Sequence, residues 1–572
     1  MRQSNLRLAV FLVAFALAVL SAGKLPAQRA EQGAKPVAKA KSVMVSSSHP
    51  AVTNAMLEVL KNGGNAVDAM LTAIPLQHVI EPQMSTLAGG MGGLIYWAET
   101  GELIYLDAEL DHTSDNPPAG QSYGPGGLAV TSGRRIGVPG TVPGLEAAAE
   151  RYGTRPWSEY FGPAVKAAEE GFTMYSFLYG EMSDAFERLG AHPATRDKWT
   201  PNGFIPPAGD VVRQPKLAQT LRQLRDKGPD YFVSGDWARH FVDEVNRTGG
   251  HITMEDLAAY EPRWVEPVSF SYRGHQLRGA PPASTAGVLN GMIFNILENF
   301  DLEAMGHYTK SAESLALIRE AYDLAQMHTT RFIGDPNIMK NPLGLLLSKD
   351  YGRQLARLIP ESWPKVSLSD GSGPIEAPSL TTAETNSGAS AYESTDTNHL
   401  VIVDSKGNWV SMTHTVYGST FGTGLTVDGV GVNSGNTFPG LGVANGRRVI
   451  TPFPALMALD EEGKPWLAIG SPGLSSRAVA LTLINLIGYG MGPYASVDAP
   501  RFRGYGPNDA LQVESRIPQE VLDGLAAFGI RVNLSAPYNW HLGSIQLVIR
   551  DSESGELVGV ADPRRAGHAA GH

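Results

Sequence analysis

Apolar positions recur at helical spacing from Ser48 to Leu76 in two blocks, an amphipathic one and a second, more buried one. Between them Lys61-Asn62-Gly63-Gly64-Asn65 offers a glycine to end the first helix and an asparagine to cap the second. Residues 87–97, LAGGMGGLIYW, turn glycine-rich and then strand-like, and residues 137–144, GVPGTVPG, form a second turn cluster. From about 145 to 360 the period is mostly helical, with strand and loop near 262–285 and a strong helix over 310–330. Between Ser367 and Asp396 the periodicity stops. There 14 of 30 residues are Ser, Thr or Gly and none is Lys or Arg, the composition of a flexible acidic linker. Alternation starts directly beyond it: HLVIVDSKGNWVSMTHTV (399–416) reads as two strands joined through Asp404–Asn408. The remainder mixes strands with helices at about 475–490 and 517–528.

Composition narrows the class. The 572 residues carry a net charge of −11, with 42% hydrophobic and 18% charged. That supports a sizeable core in several domains or one large α/β unit and excludes wholesale disorder. The acidic balance, with no Lys/Arg-rich run, argues against a nucleic-acid partner. The absence of cysteine excludes disulfides, thiolate metal sites, a cysteine nucleophile and a lipoprotein anchor. At the N-terminus, Arg2 and Arg7 precede an apolar run, Leu8 to Leu20, and the small residues Ser21-Ala22-Gly23. This is the pattern of an export signal over 1–27, cut after Ala22 or Ala27, and it predicts a soluble periplasmic or secreted protein. A single membrane anchor is the alternative, but the run is short of the ~20 residues a span needs.

No Walker A, H-E-x-x-H, EF-hand or G-x-S-x-G motif is present, and the 14 histidines show no close metal-ligand spacing. The informative junction is Ser394-Thr395-Asp396-Thr397-Asn398-His399, where the linker meets the first strand of the hairpin. If the bond before Thr397 breaks, its new α-amino group, with a reference pKa of ~7.7–8.0, lies beside its own hydroxyl and can act as that hydroxyl's base. A threonine in a strand is also routine, so position alone does not decide.

Separated motifs add to this: NGGNAVDAM (62–70), LAGGMGG (87–93), GVPGTVPG (137–144), ITMEDLAAY (252–260), ILENFD (296–301) and FIGDP (332–336). Then come TNH (397–399), FGTG (421–424), GSPG (470–473), DAPRF (498–502) and VADPRRAGHAAGH (560–572). In these the chain resembles the γ-glutamyltransferases, self-processing N-terminal-nucleophile hydrolases. The resemblance implies an α/β fold, an αββα sandwich, cut into a large subunit (28–396, with 366–396 as linker) and a small catalytic subunit (397–572). It implies no cofactor, a small amide or peptide as substrate, and cleavage between Asp396 and Thr397. Thr397 takes the nucleophile's place. Thr415 matches the threonine that orients the new amine, and Gly473 and Leu474 match the oxyanion-hole amides.

The substrate clamp departs from the family pattern. Glu109, in Leu106-Asp107-Ala108-Glu109-Leu110, stands where the family has the arginine that pairs with the γ-glutamyl α-carboxylate. Asn436 replaces an aspartate that takes the substrate's amine, Thr451-Pro452 replaces a serine pair, and Tyr417 replaces an asparagine. Pro452 has no N–H to donate. These exchanges point to an exported amidohydrolase or acyltransferase that uses an acyl group other than glutathione's, neutral or carrying an amine. A non-catalytic, binding member is the first alternative. An ordinary γ-glutamyl transferase clamped by Arg134 or Arg135 is the second.

Overall fold

The computed structural model describes residues 35–113, 128–359, 396–436, 448–472, 475–504 and 510–572. The expected export signal and the expected linker up to residue 395 lie outside these.

Two seven-stranded antiparallel sheets form the centre. Their strands in chain order are β1 Val37–Ala40, β2 Met44–Ser47, β3 Gly90–Trp97, β4 Glu102–Ala108, β5 Arg263–Val265, β6 Val268–Tyr272 and β7 His275–Gly279. The rest are β8 Asn398–Val403, β9 Trp409–Thr415, β10 Leu456–Leu459, β11 Pro465–Gly470, β12 Gln546–Arg550, β13 Leu557–Ala561 and β14 His568–Gly571. The first sheet has the order β14-β2-β8-β9-β3-β4-β5, and the second β1-β13-β12-β11-β10-β7-β6. Residues on both sides of the 397 junction build each sheet, so the fold needs both.

Alternation along the strands sorts side chains into three layers. Leu400 and Ile402 pack outward with α1 (Pro50–Lys61) and α2 (Ala66–Ile80). Val401, Val403 and Trp409 face inward and meet Met457, Ala468 and Val548 of the second sheet. That sheet's far face, with Phe270, Leu456 and Ile469, is covered by α3 (Ala286–Leu297), α4 (Ala312–Phe332) and α5 (Ser475–Leu483). The result is the helix–sheet–sheet–helix sandwich expected.

Local chemistry explains the elements nearest the junction. Asn65 and Asp68 form a reciprocal cap at the start of α2, which is buried on every side and runs to Ile80, past the apolar block ending at Leu76. The Asp404 carboxylate closes the hairpin turn on the amides of Lys406 and Asn408, and also accepts from the first amide of α2, Ala66. The hairpin is thereby docked on a helix N-terminus, where negative charge is favoured. The helix expected over 475–490 ends as α5 at Leu483 and continues as a wider turn over Ile484–Gly488, and a further helix, Pro493–Asp498, was not legible from periodicity.

The sheets approach most closely where β11 ends. A Cβ on Gly470 would lie 2.1 Å from the His399 ring. That ring is held between Thr413 (2.8 Å) and Ser411 (3.0 Å), with no exposure. Gly470→Ala is expected to overpack this contact, costing about 1–3 kcal/mol. Calorimetry should show a lowered thermal midpoint, and an unchanged midpoint would contradict the packing described.

Candidate active site

Strand register sets the site. Asn398 pairs with His414 and Val403 with Trp409, so Thr397 lies opposite Thr415 one step beyond the ladder. Their hydroxyls are 2.8 Å apart, and the Thr415 oxygen also accepts the Tyr417 amide at 3.1 Å. Both side chains are almost wholly buried. The Thr397 amide donates to the Met84 carbonyl (2.9 Å), which also accepts the Val416 amide (3.1 Å). The Thr397 carbonyl accepts from Arg565 Nη1 at 2.8 Å. Glycine makes room for this arrangement: a Cβ on Gly89 would lie 2.0 Å from the Thr415 carbonyl oxygen.

Thr397 has φ = 100°, positive and unusual for a β-branched residue. Such a backbone costs on the order of 1–3 kcal/mol and persists only where surroundings enforce it. Here the enforcing contacts are the Met84 and Arg565 hydrogen bonds on either side of the residue. Asp396, immediately before it, is fully buried.

The residues expected to bind substrate lie at the same end of the gap between the sheets. Tyr417 stacks on Phe453 (centroids 5.8 Å), and with Leu110 and Val449 they form a small apolar cluster. The Tyr417 hydroxyl accepts the Leu110 amide at 3.4 Å. Glu109 is 1% exposed, so it does not face solvent. Its carboxyl oxygens accept from the Tyr105 hydroxyl (3.1 Å) and the Thr451 hydroxyl. Burial, reinforced by the neighbouring Asp107 carboxylate and only partly opposed by Arg448, pushes its pKa well above the ordinary carboxylate range. Desolvation thus opposes ionisation of Glu109, the residue expected to favour a neutral acyl group or one carrying an amine.

Asn436 is taken up by its surroundings. Its side-chain oxygen accepts the Thr113 amide, and its nitrogen donates to the Thr113 hydroxyl and the Arg134 carbonyl, each at 3.0 Å. The Arg135 guanidinium is likewise engaged, by the carbonyls of Leu128 and Ala129. Thr451 and Pro452 lie beside the start of α5, where the Ser476 hydroxyl donates to the Pro452 carbonyl at 3.2 Å. Gly473 and Leu474 lie outside the described residues.

Sequence reasoning missed three participants. Met84, whose backbone carbonyl accepts the Thr397 amide, has no side-chain signature. Arg565 was noted only as part of the C-terminal motif. Arg448, fully buried, pairs with Asp107 (3.2 Å) and Asp111 (3.3 Å) and donates to the Glu109 carbonyl at 2.6 Å. It thus supplies an arginine close to position 109, but one locked into the scaffold. A cavity of about 930 Å³ between His192, Lys198, Lys216, His240 and Asp428 contains none of the site residues. Among the described residues no group of three His, Asp or Glu side chains is arranged to hold a metal, and no helix is long and apolar enough to cross a membrane.

Comparison with known proteins places this geometry in context. The family model described as Gamma-glutamyltranspeptidase matches residues 52–572. A glutathione hydrolase proenzyme of Escherichia coli is 32% identical, covering 97% of this chain and 98% of its own length. An acylase ACY 1 proenzyme from Pseudomonas sp. is 31% identical, covering 86% and 87%. Among solved structures, a cephalosporin acylase from Bacillus halodurans superposes with a TM-score of 0.78 at 25% identity, covering 94% of this chain and 98% of that one.

The raised proton affinity of Glu109 has a measurable consequence. The folded protein holds this proton more tightly than the unfolded chain, whose carboxyl titrates at the ordinary value of 4.5. Stability from this group is therefore full below 4.5 and falls as pH rises from there toward the folded value. Glu109→Gln, which cannot ionise, should gain thermal stability relative to the parent as pH is raised from about 5 to about 8. Parallel pH–stability curves for the two proteins would show that Glu109 is ionised.

Proposed function

Because the chain belongs to the γ-glutamyltranspeptidase family, we propose that it is an exported, self-processing amidohydrolase or acyltransferase whose acyl group lacks the amino-acid head of γ-glutamate. The observation that carries this reading is the buried Thr397–Thr415 hydroxyl pair at the start of the strand hairpin.

In the precursor, Thr397 Oγ attacks the Asp396 carbonyl carbon, and the amide becomes an ester with Thr397. Water then hydrolyses the ester, leaving Asp396 as a carboxyl terminus and Thr397 with a free amine. The unusual backbone of Thr397 supports this step, because cleavage frees its φ angle. Residues 28–396 become the large subunit and 397–572 the small one.

In the mature enzyme the Met84 carbonyl holds one N–H of the new amine, so that its lone pair is directed by a fixed contact. The amine takes the Oγ proton as Oγ attacks the substrate amide. Thr415, fixed by the Tyr417 amide, holds the nucleophile's hydroxyl in place. Gly473 and Leu474, directly ahead of α5, are the family positions for amide donors to the tetrahedral oxyanion. Collapse expels the amine, and water or a second amine takes the acyl group from Thr397. Tyr417, Phe453, Leu110 and Val449 line the acyl side with apolar surface, and Glu109 contributes a neutral acid.

The expected mature protein shows two polypeptides by intact mass, the smaller beginning at Thr397, while Thr397→Ala remains a single chain. Another N-terminus, or cleavage at the same bond in Thr397→Ala, would contradict the reading, and an intact wild-type chain would favour a binding protein.

Turnover of a γ-glutamyl anilide should be weak. Loss of an arginine–carboxylate contact in a buried site costs on the order of 3–5 kcal/mol, about two to four decades. The substrate's ammonium also meets Asn436 and a protonated Glu109 where an anion is needed. Glu109→Arg alone should not restore turnover, because Asn436 and Pro452 remain. Rates on γ-glutamyl anilide matching those of an ordinary γ-glutamyl transferase would return the protein to plain γ-glutamyl transfer.

A further inference from the structure

The cavity of about 930 Å³ lies away from Thr397 and falls in the size range of small-molecule sites, ~300–1,000 Å³. Its walls are the helices Pro193–Trp199, Pro215–Lys227 and Asp236–Arg247, and the tight turn at Asp428-Gly429 between two short strands, Thr426–Val427 and Val430–Gly431. Both turn residues have positive φ, 48° and 86°. The helices pin this turn: the Thr220 hydroxyl donates to the Asp428 carbonyl at 2.6 Å, and Trp237 Nε1 to the Val427 carbonyl at 3.3 Å. Fixed parts therefore enclose the space.

Most charges facing this space are already answered. Asp428 holds Lys216 (3.1 Å) and His240 (2.6 Å), Glu244 holds Arg247 (2.5 Å), and Asp197 holds Arg196 (3.4 Å). Arg213 and Asp243 are exposed, so water screens them. Lys198 differs. Its Nζ donates to the Gly429 carbonyl at 2.8 Å and lies 4.4 Å from the Trp199 ring centroid, and among the described residues no carboxylate is within 4.0 Å of it. His78, which feels the Lys198 charge, is held neutral by burial, with a pKa of about 3, so it supplies no anion. Desolvation without a counter-charge lowers the Lys198 pKa to about 7.

The start of the helix Pro215–Lys227 adds donors and one acceptor. No side chain caps it, and the amides of Lys216 and Leu217, in its first turn, have no carbonyl within the helix to reach. Gln214, at the cap position, is 2% exposed. Its Nε2 donates to the Val79 carbonyl at 2.8 Å, which leaves Oε1 buried without a hydrogen-bond partner. An ammonium short of a counter-charge and uncapped helix amides favour an anion. The buried Gln214 oxygen instead requires a hydrogen-bond donor.

We propose that this cavity binds a small α-hydroxy carboxylate with an apolar side chain. The carboxylate pairs with the Lys198 ammonium and the amides of Lys216 and Leu217, the hydroxyl donates to Gln214 Oε1, and the apolar part lies against Leu217, Leu425 and Val427. One uncompensated cation sets a single negative charge. A phosphate would bring a second charge into a space that also faces Asp197, Asp243, Glu244 and Asp428. Hydroxyl and carboxylate are neighbours in the ligand because Gln214 and the uncapped amides are neighbours at one helix start. Binding is non-covalent and separate from the chemistry at Thr397, so it does not depend on that reading. The three helices and the turn lie on opposite sides of the 397 junction, and a bound ligand bridges them.

Titration calorimetry with the purified protein tests the site with four compounds: phenyllactate, 3-phenylpropionate without the hydroxyl, 3-phenylpropanol without the carboxylate, and inorganic phosphate. Phenyllactate is expected to bind, 3-phenylpropionate several-fold more weakly, and the other two at least about tenfold more weakly. Lys198→Met should lower the affinity for phenyllactate by about tenfold or more, and Gln214→Met should remove its advantage over 3-phenylpropionate. A second measurement needs no variant. Acetic anhydride labelling of Lys198, located by peptide mass, should slow when phenyllactate is present, while labelling of the exposed Lys166 does not change. No binding of phenyllactate, undiminished affinity in Lys198→Met, or equally tight binding of phosphate or 3-phenylpropanol would overturn the proposal. Equal affinity for 3-phenylpropionate in the wild type would overturn the α-hydroxy class. Unprotected Lys198 in wild-type protein saturated with phenyllactate would overturn the site even if both variants failed to fold, and would put the ligand elsewhere on the molecule.

Discussion

The ladder between Asn398–Val403 and Trp409–Thr415 decides where Thr397 lies, and nearly every other feature of the site is arranged around that register. Side chains alternate along a strand, so a slip of one residue would turn Thr397 into the helical layer and bring Asn398 into the gap between the sheets. Three features prevent the slip. Val401 and Val403 are buried against the second sheet, the His399 ring is held by Thr413 and Ser411, and the turn is tied to α2 through Asp404. The position of Thr397 therefore derives from the core of the molecule.

Desolvation shapes the rest. At Glu109 it raises the proton affinity of the carboxyl group, against the pull of Arg448. Arg448 keeps its partners because Asp107 and Asp111 are within 3.3 Å, and the cluster braces β4 against the segment beginning at residue 448. Near Thr397 the balance differs. The Nε and Nη2 of Arg565 and the Nε of Arg188 are buried without a hydrogen-bond partner.

Much of this was legible in the sequence, for identifiable reasons. The hairpin, α2 and α4 announced themselves through strong periodicity, joined at the hairpin by Asp404–Asn408 and at α2 by Asn65, whereas the capping roles of Asp68 and Ser311 emerged only in the structure. The pairing of Thr397 with Thr415 followed from hairpin arithmetic together with family resemblance. The parts that were not legible depend on long-range proximity. Met84 acts through its carbonyl, so any residue there would read the same. Arg448 and Arg565 are ordinary cations in sequence, and only the fold shows one set among the carboxylates of Asp107 and Asp111 and the other stacked on Trp540 and Phe177. Glu109 was read with its usual charge because sequence carries no information on local dielectric.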